Sequence, residues 1–477
     1  MDHRFRGERK GLIEIGAVTE RRSREEFQVY IDEFAAEALS LFVPANLRYE
    51  LAGWARSYYT VEQHVNAILA YDKPKLPEPS NPDWNKTKQD VLNLFRRMPQ
   101  FDAQSYKDFD AVKWISSSAA GYGYPGRKGD PGNYEKAKRT AITIAEALDH
   151  DRSYGPRAIQ ESTPDIAFTR TQMSQLKAKT KVRNVWGEAF HYVLLEGLFA
   201  DPIIRQFKRM TTFYFIGRDP LLAVPALIEE IVSQKDYVYM FDWSGFDATV
   251  QEWEIRFAFD CLAALIRFPS NVEHQIWCFL IELFIYRKIA GPNEVLYLKT
   301  QGIPSGSCFT NIIGSITNYV RIQYMFQCLT KREAMVFTHG DDSLVGVDTT
   351  QYVPLTRFHE VATPLGWILN LSKSDVSKKN EHISFLSRTV RDRQNFREEL
   401  ACLRMLIYPE HPVNEGALSA LRAQSIYQDA GYSSQYLFKI IMYLKSKYGM
   451  LLTLPVEHQR WSELEFEARR STAAELM

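Results

Sequence analysis

Apolar and polar positions follow two rhythms along the chain, and from Asp236 onward the two succeed one another cleanly. DYVYMFDWS (236–244) is β-branched and aromatic, with a carboxylate and turn residues at its end, which predicts a strand. EWEIRFAFDCLAALIRF (252–268) carries apolar residues at helical spacing. NEVLYLKT (293–300) reads as a strand and TNIIGSITNYVRIQYMFQCL (310–329) as a long helix. VFTHGDDSLVGV (336–347) reads as a hairpin, FHEVATPLGW (358–367) as a helix and ISFLSRTV (383–390) as a strand. This succession predicts an α+β core, an antiparallel sheet backed by helices. After residue 400 the pattern is helical, ending in SSQYLFKIIMYLKSKYG with Ser433 or Ser434 as N-cap and Gly449 as its C-terminal stop.

Upstream the pattern is less regular. Residues 1–30 are charged and predicted to be only partly ordered. DKPKLPEPSNPDW (72–84) holds four prolines and reads as an extended surface connector. SSSAAGYGYPGRKGDPGNY (116–134) is a long Gly-rich loop, and loops of that length inside a compact protein are usually functional or disordered.

Composition narrows the classes. At 477 residues the chain has room for about three domain-sized units. The most apolar stretch, IWCFLIELFIYRK, is broken by Glu282, so no membrane span is expected. No apolar segment follows the charged N-terminus, so no secretory signal is expected either. Five scattered cysteines form no CxxC pair, which argues against a zinc site or a disulfide framework. With 58 basic and 58 acidic residues the net charge is zero, so any nucleic-acid contact must be local, inside a lined channel.

The candidate chemistry is acidic. Asp341 and Asp342 stand together after Gly340 at the tip of an apolar hairpin, where each raises the other's pKa unless a cation neutralises them. Hard cations such as Mg²⁺ take carboxylate oxygens and often also bind substrate phosphates. Asp242 closes a strand and Asp247 follows in the next turn, while Ser305 and Gly306 open the helix that carries Thr310 and Asn318. Taken singly, each piece has a plainer explanation: a hairpin turn, a helix cap at Asp247, an ordinary capped helix. Together, in the order carboxylate strand, Ser-Gly helix, Gly-Asp-Asp hairpin, they point to two Mg²⁺ ions (Mn²⁺ as a substitute) held for in-line nucleotidyl transfer.

The set resembles motifs A, B and C of viral RNA-dependent RNA polymerases. SSAAGYGYPG (117–126) is similar to the motif G loop, which implies template contact through Ser117, Gly121 and Tyr122. KAKTKVRNVWG (177–187) resembles motif F. Five basic residues and no acid lie between Ile166 and Gly187, which implies phosphate contact: Lys181 and Arg183 on the incoming nucleoside triphosphate, Lys179 on RNA. LGWILNLSKSDVS (365–377) resembles motif D, with Lys373 as proton donor to leaving pyrophosphate, and FLSRTV (385–390) resembles motif E, with Arg388 beside the product strand.

The resemblance covers roughly residues 115 to 395. It implies a closed right hand: N-terminal region and fingers in 1–235, palm in 236–260 and 301–400, a fingers insertion in 261–300 and a thumb in 401–477. It further implies that Asp242, Asp341 and Asp342 hold the metal, with Asp342 secondary and pointing partly away. Ser305, Gly306, Asp247, Thr310 and Asn318 would then meet the nucleotide. Picornavirus-type enzymes carry an Asn before the Ser on the motif B helix; here Gly314 precedes Ser315, so Ser315 is expected to stand in for it.

The wording FDWSGFDA, SGSCFTNIIGSITN and KVRNVWG looks most like partitiviruses. That implies genomic double-stranded RNA, template and nascent RNA and a viral capsid protein as partners, inside the virion and in the host cytoplasm, with no membrane. Two alternatives stand beside this reading. A reverse transcriptase would carry an aromatic gate at the position of Asp247. A non-enzymatic RNA-binding virion protein would have no use for converging carboxylates.

Overall fold

The computed structural model describes residues 10–19, 30–56, 59–151, 153–175, 182–378 and 382–453. A four-stranded antiparallel sheet lies at the centre, in the order Met335–His339, Asp342–Val347, Tyr237–Met240, Asp375–Ser377. Alternation along Tyr237–Met240 explains its two faces, since successive side chains point to opposite sides of a sheet. Tyr239 packs on Phe326 of the Thr310–Thr330 helix (ring centroids 5.7 Å) and on Phe358 of the Leu355–Ala362 helix (5.4 Å). Val238, on the opposite face, joins Leu344, Ile228 and Ile231 in a separate core under the Pro220–Gln234 helix. The predicted α+β arrangement is present, with the two carboxylate-bearing strands side by side.

Not every predicted strand joins that sheet. The one read from NEVLYLKT, observed as Val295–Lys299, lies in a second, five-stranded sheet ordered Leu12–Ala17, Val295–Lys299, Arg287–Ala290, Asp165–Thr171, Val182–Gly187. Only the contact between Asp165–Thr171 and Arg287–Ala290 is parallel. Periodicity marks a strand but carries no information about its partner. The strand read from ISFLSRTV is instead two short ones, Ser384–Phe385 and Arg388–Arg391, because Leu386 and Ser387 take positive φ (52° and 59°) and turn the chain back. Of the predicted helix 252–268, Glu252–Ala263 is α-helical and Ile266–Arg267 is a short strand.

The C-terminal helices form as expected. Ser434 caps Gln435–Tyr448 by accepting from Leu437 N at 3.0 Å, and Gly449 ends it at φ 77°. Part of the N-terminal region read within 1–235 packs against the C-terminal helices. Ala35, Ala38, Leu39 and Leu51 share one core with Leu403, Leu406, Leu437 and Ile440, so the Glu33–Phe42 and Ala45–Ala52 helices pack with the C-terminal helices. Asp32, fully buried, caps Glu33–Phe42 and pairs with Arg422, while Tyr408 Oη donates to Leu51 O at 2.8 Å. A local apolar pattern does not name the helix it packs against.

Among the described residues all five cysteines are free, and no helix is long and apolar enough to cross a membrane.

Candidate active site

Asp242 follows the Tyr237–Met240 strand and is half-buried. Its backbone N–H donates to Ser374 Oγ at 3.0 Å and its carbonyl accepts from Asn370 N at 2.8 Å. The 370–374 turn is thereby docked on Asp242, which brings exposed Lys373 to the same edge of the sheet. Across from it, Gly340 takes φ +62°, a left-handed conformation suited to glycine, and reverses the chain between Met335–His339 and Asp342–Val347. The register pairs Val345 with Tyr239, and counting outward sets residue 342 level with residue 242. Directly opposed side chains on antiparallel strands lie about 5 Å apart. Asp247 sits in the Phe246–Thr249 turn, entered through Gly245 at φ +60°, and its carbonyl accepts from Ile303 N at 2.8 Å.

These carboxylates sense one another. Burial, then Asp341 and Asp242, pushes Asp342 up to about 7. Burial and then Asp341 push Asp247 up to about 7, with Arg183 and the Ser305 hydroxyl opposing. Asp341 is raised as well, by burial first, although it and Asp342 keep solvent access; a carboxylate can touch water and still be crowded by protein. Arg183 is the cation common to Asp247, Asp341 and Asp342. Asp342, exposed like Asp341, lies within electrostatic reach of both Asp341 and Asp242.

Hard oxygen donors with so little positive charge fit a divalent cation in chemistry. Among the described residues no three acidic, imidazole or thiol groups converge closely enough to ligate one ion as they stand.

The Ser-Gly loop is fixed from two sides. Gly306 takes φ +143°, and a Cβ there would stand 2.2 Å from Trp186 O, so only glycine lets the Val182–Gly187 strand close in. Trp186 N donates to Ser305 O at 2.8 Å. This contact places Arg183, three residues earlier on the same strand, among the carboxylates. On the other side Glu196 accepts from Ser307 Oγ and, at 2.7 Å, from Cys308 N. Glu196 belongs to a buried ion cluster with Arg287, Asp165 and Glu188. Nothing in the motif reading pointed to this cluster; buried charges at Glu196 and Arg287, inside otherwise apolar helical and strand patterns, were the available signal.

Several assigned contacts take another form. Thr310 spends its hydroxyl inside the loop, donating to Pro304 O (2.9 Å) and accepting from Gly306 N (3.3 Å). Asn318 is fully buried, with its amide on the Gly-Asp-Asp turn and not facing open space. Ser315 is also buried, accepting from Gly340 N at 2.7 Å and donating to Asn311 O, so both its polar functions are engaged within the protein. Arg388 is held by Asp429, which also binds Arg397, so its guanidinium serves the hairpin-to-helix joint. Gly121 packs on the Glu188 and Ala189 backbone, within 2.4 Å of a would-be Cβ, which anchors its loop. Ser117 and Tyr122 are half-buried in that loop, which Lys128 ties together through Ser118 Oγ and Ala119 O. Lys179 and Lys181 lie outside the described residues.

Residues 30–445 match the family model described as viral RNA-dependent RNA polymerase. The chain belongs to that family. Its 135-residue similarity to the RNA-directed RNA polymerase of Cryptosporidium parvum virus 1 (strain KSU-1) is 33% identical and covers 26% of this chain and 25% of that one. A 196-residue stretch is 27% identical to the genome polyprotein of simian hepatitis A virus genotype V (isolate AGM-27), covering 38% of this chain and 9% of the polyprotein. Human hepatitis A virus genotype IIIB (isolate HAJ85-1) gives 26% over the same length. The chain thus spans a quarter or less of the length of these relatives.

Proposed function

We propose that the chain is an RNA-dependent RNA polymerase that joins ribonucleotides on an RNA template by two-metal nucleotidyl transfer. The observation that carries this reading is the register that sets Asp242 level with Asp342 on adjacent strands, with Asp341 beside it and Asp247 in the following turn, next to a Ser-Gly loop locked to the strand that carries Arg183. A closed right hand, with the central sheet as palm, accords with the packing of the Glu33–Phe42 helix on the C-terminal helices.

Asp242 and Asp341, with Asp342 beside them, would hold Mg²⁺ or Mn²⁺. When bound, such ions would lower the pKa of an attacking hydroxyl and neutralise charge on the leaving pyrophosphate. Arg183 contributes a planar donor fork to the triphosphate, assisted by Lys181. Asp247 meets the sugar, and Lys373, on the turn docked at Asp242, delivers a proton to pyrophosphate. Motif wording supports the finer placement among partitivirus-type enzymes of double-stranded RNA viruses, working inside the particle with capsid protein. Asp247, where a reverse transcriptase would hold an aromatic gate, favours an RNA product.

The test is synthesis by the purified chain on an RNA template with four ribonucleoside triphosphates and Mg²⁺. Asp341→Asn abolishes incorporation and leaves RNA binding near wild type. Substantial incorporation by that variant in Mg²⁺ would sink the metal assignment.

A further inference from the structure

The Thr310–Thr330 helix is apolar over most of its length, yet it carries Asn311, Ser315 and Asn318 on one face at i, i+4 and i+7. Each of these side chains reaches the Gly-Asp-Asp turn or a residue bonded to it. Asn311 Oδ1 accepts from Tyr214 Oη at 2.6 Å, and Tyr214 stacks over His339. Ser315 Oγ accepts from Gly340 N, and its carbonyl accepts from Thr338 Oγ1 at 2.9 Å. Asn318 Nδ2 faces three successive carbonyls, Gly340 (3.0 Å), Asp341 (2.8 Å) and Asp342 (3.3 Å). Its other atom points the opposite way: Oδ1 accepts from Trp243 Nε1 at 2.9 Å.

Trp243 is the residue after Asp242 and is itself immobilised. Its ring lies 5.5 Å from the Arg321 guanidinium, which is bound in turn to Glu254 and Thr249. One buried amide therefore spans the backbone that carries Asp341 and Asp342 and the side chain next to Asp242. An amide is suited to this, because it donates on one side and accepts on the other.

We propose that Asn318 is a positioning residue for the metal centre: it sets the spacing between the Asp242 strand end and the Asp341–Asp342 turn, and does not contact the sugar. The proposal rests on the polymerase reading for its metal ligands. Outer partners of metal ligands commonly change affinity or activity by roughly 10- to 100-fold when altered. Asn318→Asp keeps the acceptor toward Trp243 but replaces the two N–H donors with an oxygen facing three carbonyl oxygens. Trp243→Phe removes the bond from the other end.

The experiment measures Mn²⁺ binding by electron paramagnetic resonance without nucleotide, alongside thermal melting, the Mg²⁺ dependence of synthesis and the ribo-over-deoxy preference. Asn318→Asp is expected to weaken Mn²⁺ binding and raise the Mg²⁺ requirement roughly 10- to 100-fold. It leaves the ribo-over-deoxy ratio at the wild-type value, and Trp243→Phe moves the metal readouts in the same direction. A folded Asn318→Asp with wild-type Mn²⁺ affinity, or one whose sugar preference collapses while metal binding holds, overturns the proposal. Should Asn318→Asp not melt cooperatively, Trp243→Phe decides by the same criterion. The Mn²⁺ arm needs no turnover, so a wild-type chain that binds Mn²⁺ but makes no RNA counts against the polymerase reading alone.

Discussion

Glu196 accepts the Ser307 hydroxyl on both carboxylate oxygens at 2.9 Å, tying a buried charge in the Phe190–Arg209 helix to the loop that opens the Ser-Gly helix. Arg287 neutralises Glu196 from behind and also binds Asp165 and Glu188. Burial pushes Asp165 up to about 6 and Glu188 well above the usual carboxylate range. Removing Arg287 strands three buried acids, whereas removing the Glu196 charge leaves Arg287 two partners. Arg287→Leu is therefore expected to cost about 3–5 kcal/mol and Glu196→Gln about 1–3 kcal/mol. Urea unfolding followed by fluorescence ranks the two; the reverse order would contradict the account.

The carboxylate cluster predicts a pH signature. Asp342 titrates near 7 in the folded chain and near the ordinary carboxylate value of about 4 when unfolded. Between these values the native state binds the extra proton, so stability without metal falls as pH rises from about 4 to about 7 and then levels off. In chelator, the melting temperature should drop over that window, and Asp342→Asn should flatten the drop. Mg²⁺ should restore stability most at the alkaline end, where the carboxylates are charged. Identical melting curves for wild type and Asp342→Asn across the window would refute this.

Arg183 is exposed, on a strand fixed to the Ser-Gly loop through Trp186 and Ser305. Loss of one charge-assisted phosphate contact costs on the order of 1.5–3 kcal/mol, which corresponds to about 10- to 100-fold in rate or affinity. Arg183→Ala should accordingly raise the nucleotide KM or lower kcat by that factor in steady-state incorporation. A defect confined to template affinity would move Arg183 from the nucleotide to the RNA.

With Thr310, Ser315 and Asn318 engaged elsewhere, Asp247 is left as the polar group for a 2′-hydroxyl among the residues proposed for it. A site built to pair that hydroxyl loses the pairing with a deoxyribonucleotide, and such losses discriminate strongly. Asp247→Ala should lower kcat/KM for a ribonucleotide far more than for its 2′-deoxy counterpart. Equal losses on both sugars would make Asp247 a structural or metal-linked residue.

The sequence by itself determined the carboxylates, the order of the three motif segments and the helices with strong caps, because local spacing and turn chemistry act within a few residues. Gly340, Ser434 and Gly449 were legible for that reason. Tertiary structure alone decided which strand pairs with which, and it moved the Glu33–Phe42 helix into the C-terminal core, since an apolar stripe does not name its partner. It also decided what the polar residues of the Ser-Gly helix do. A buried amide at Asn318 and a hydroxyl at Thr310 look the same in sequence whether they face a ligand or a neighbouring backbone, and here both bond to backbone carbonyls. The buried charges at Glu196 and Arg287 become explicable only together, because neither is tolerable in the interior without the other.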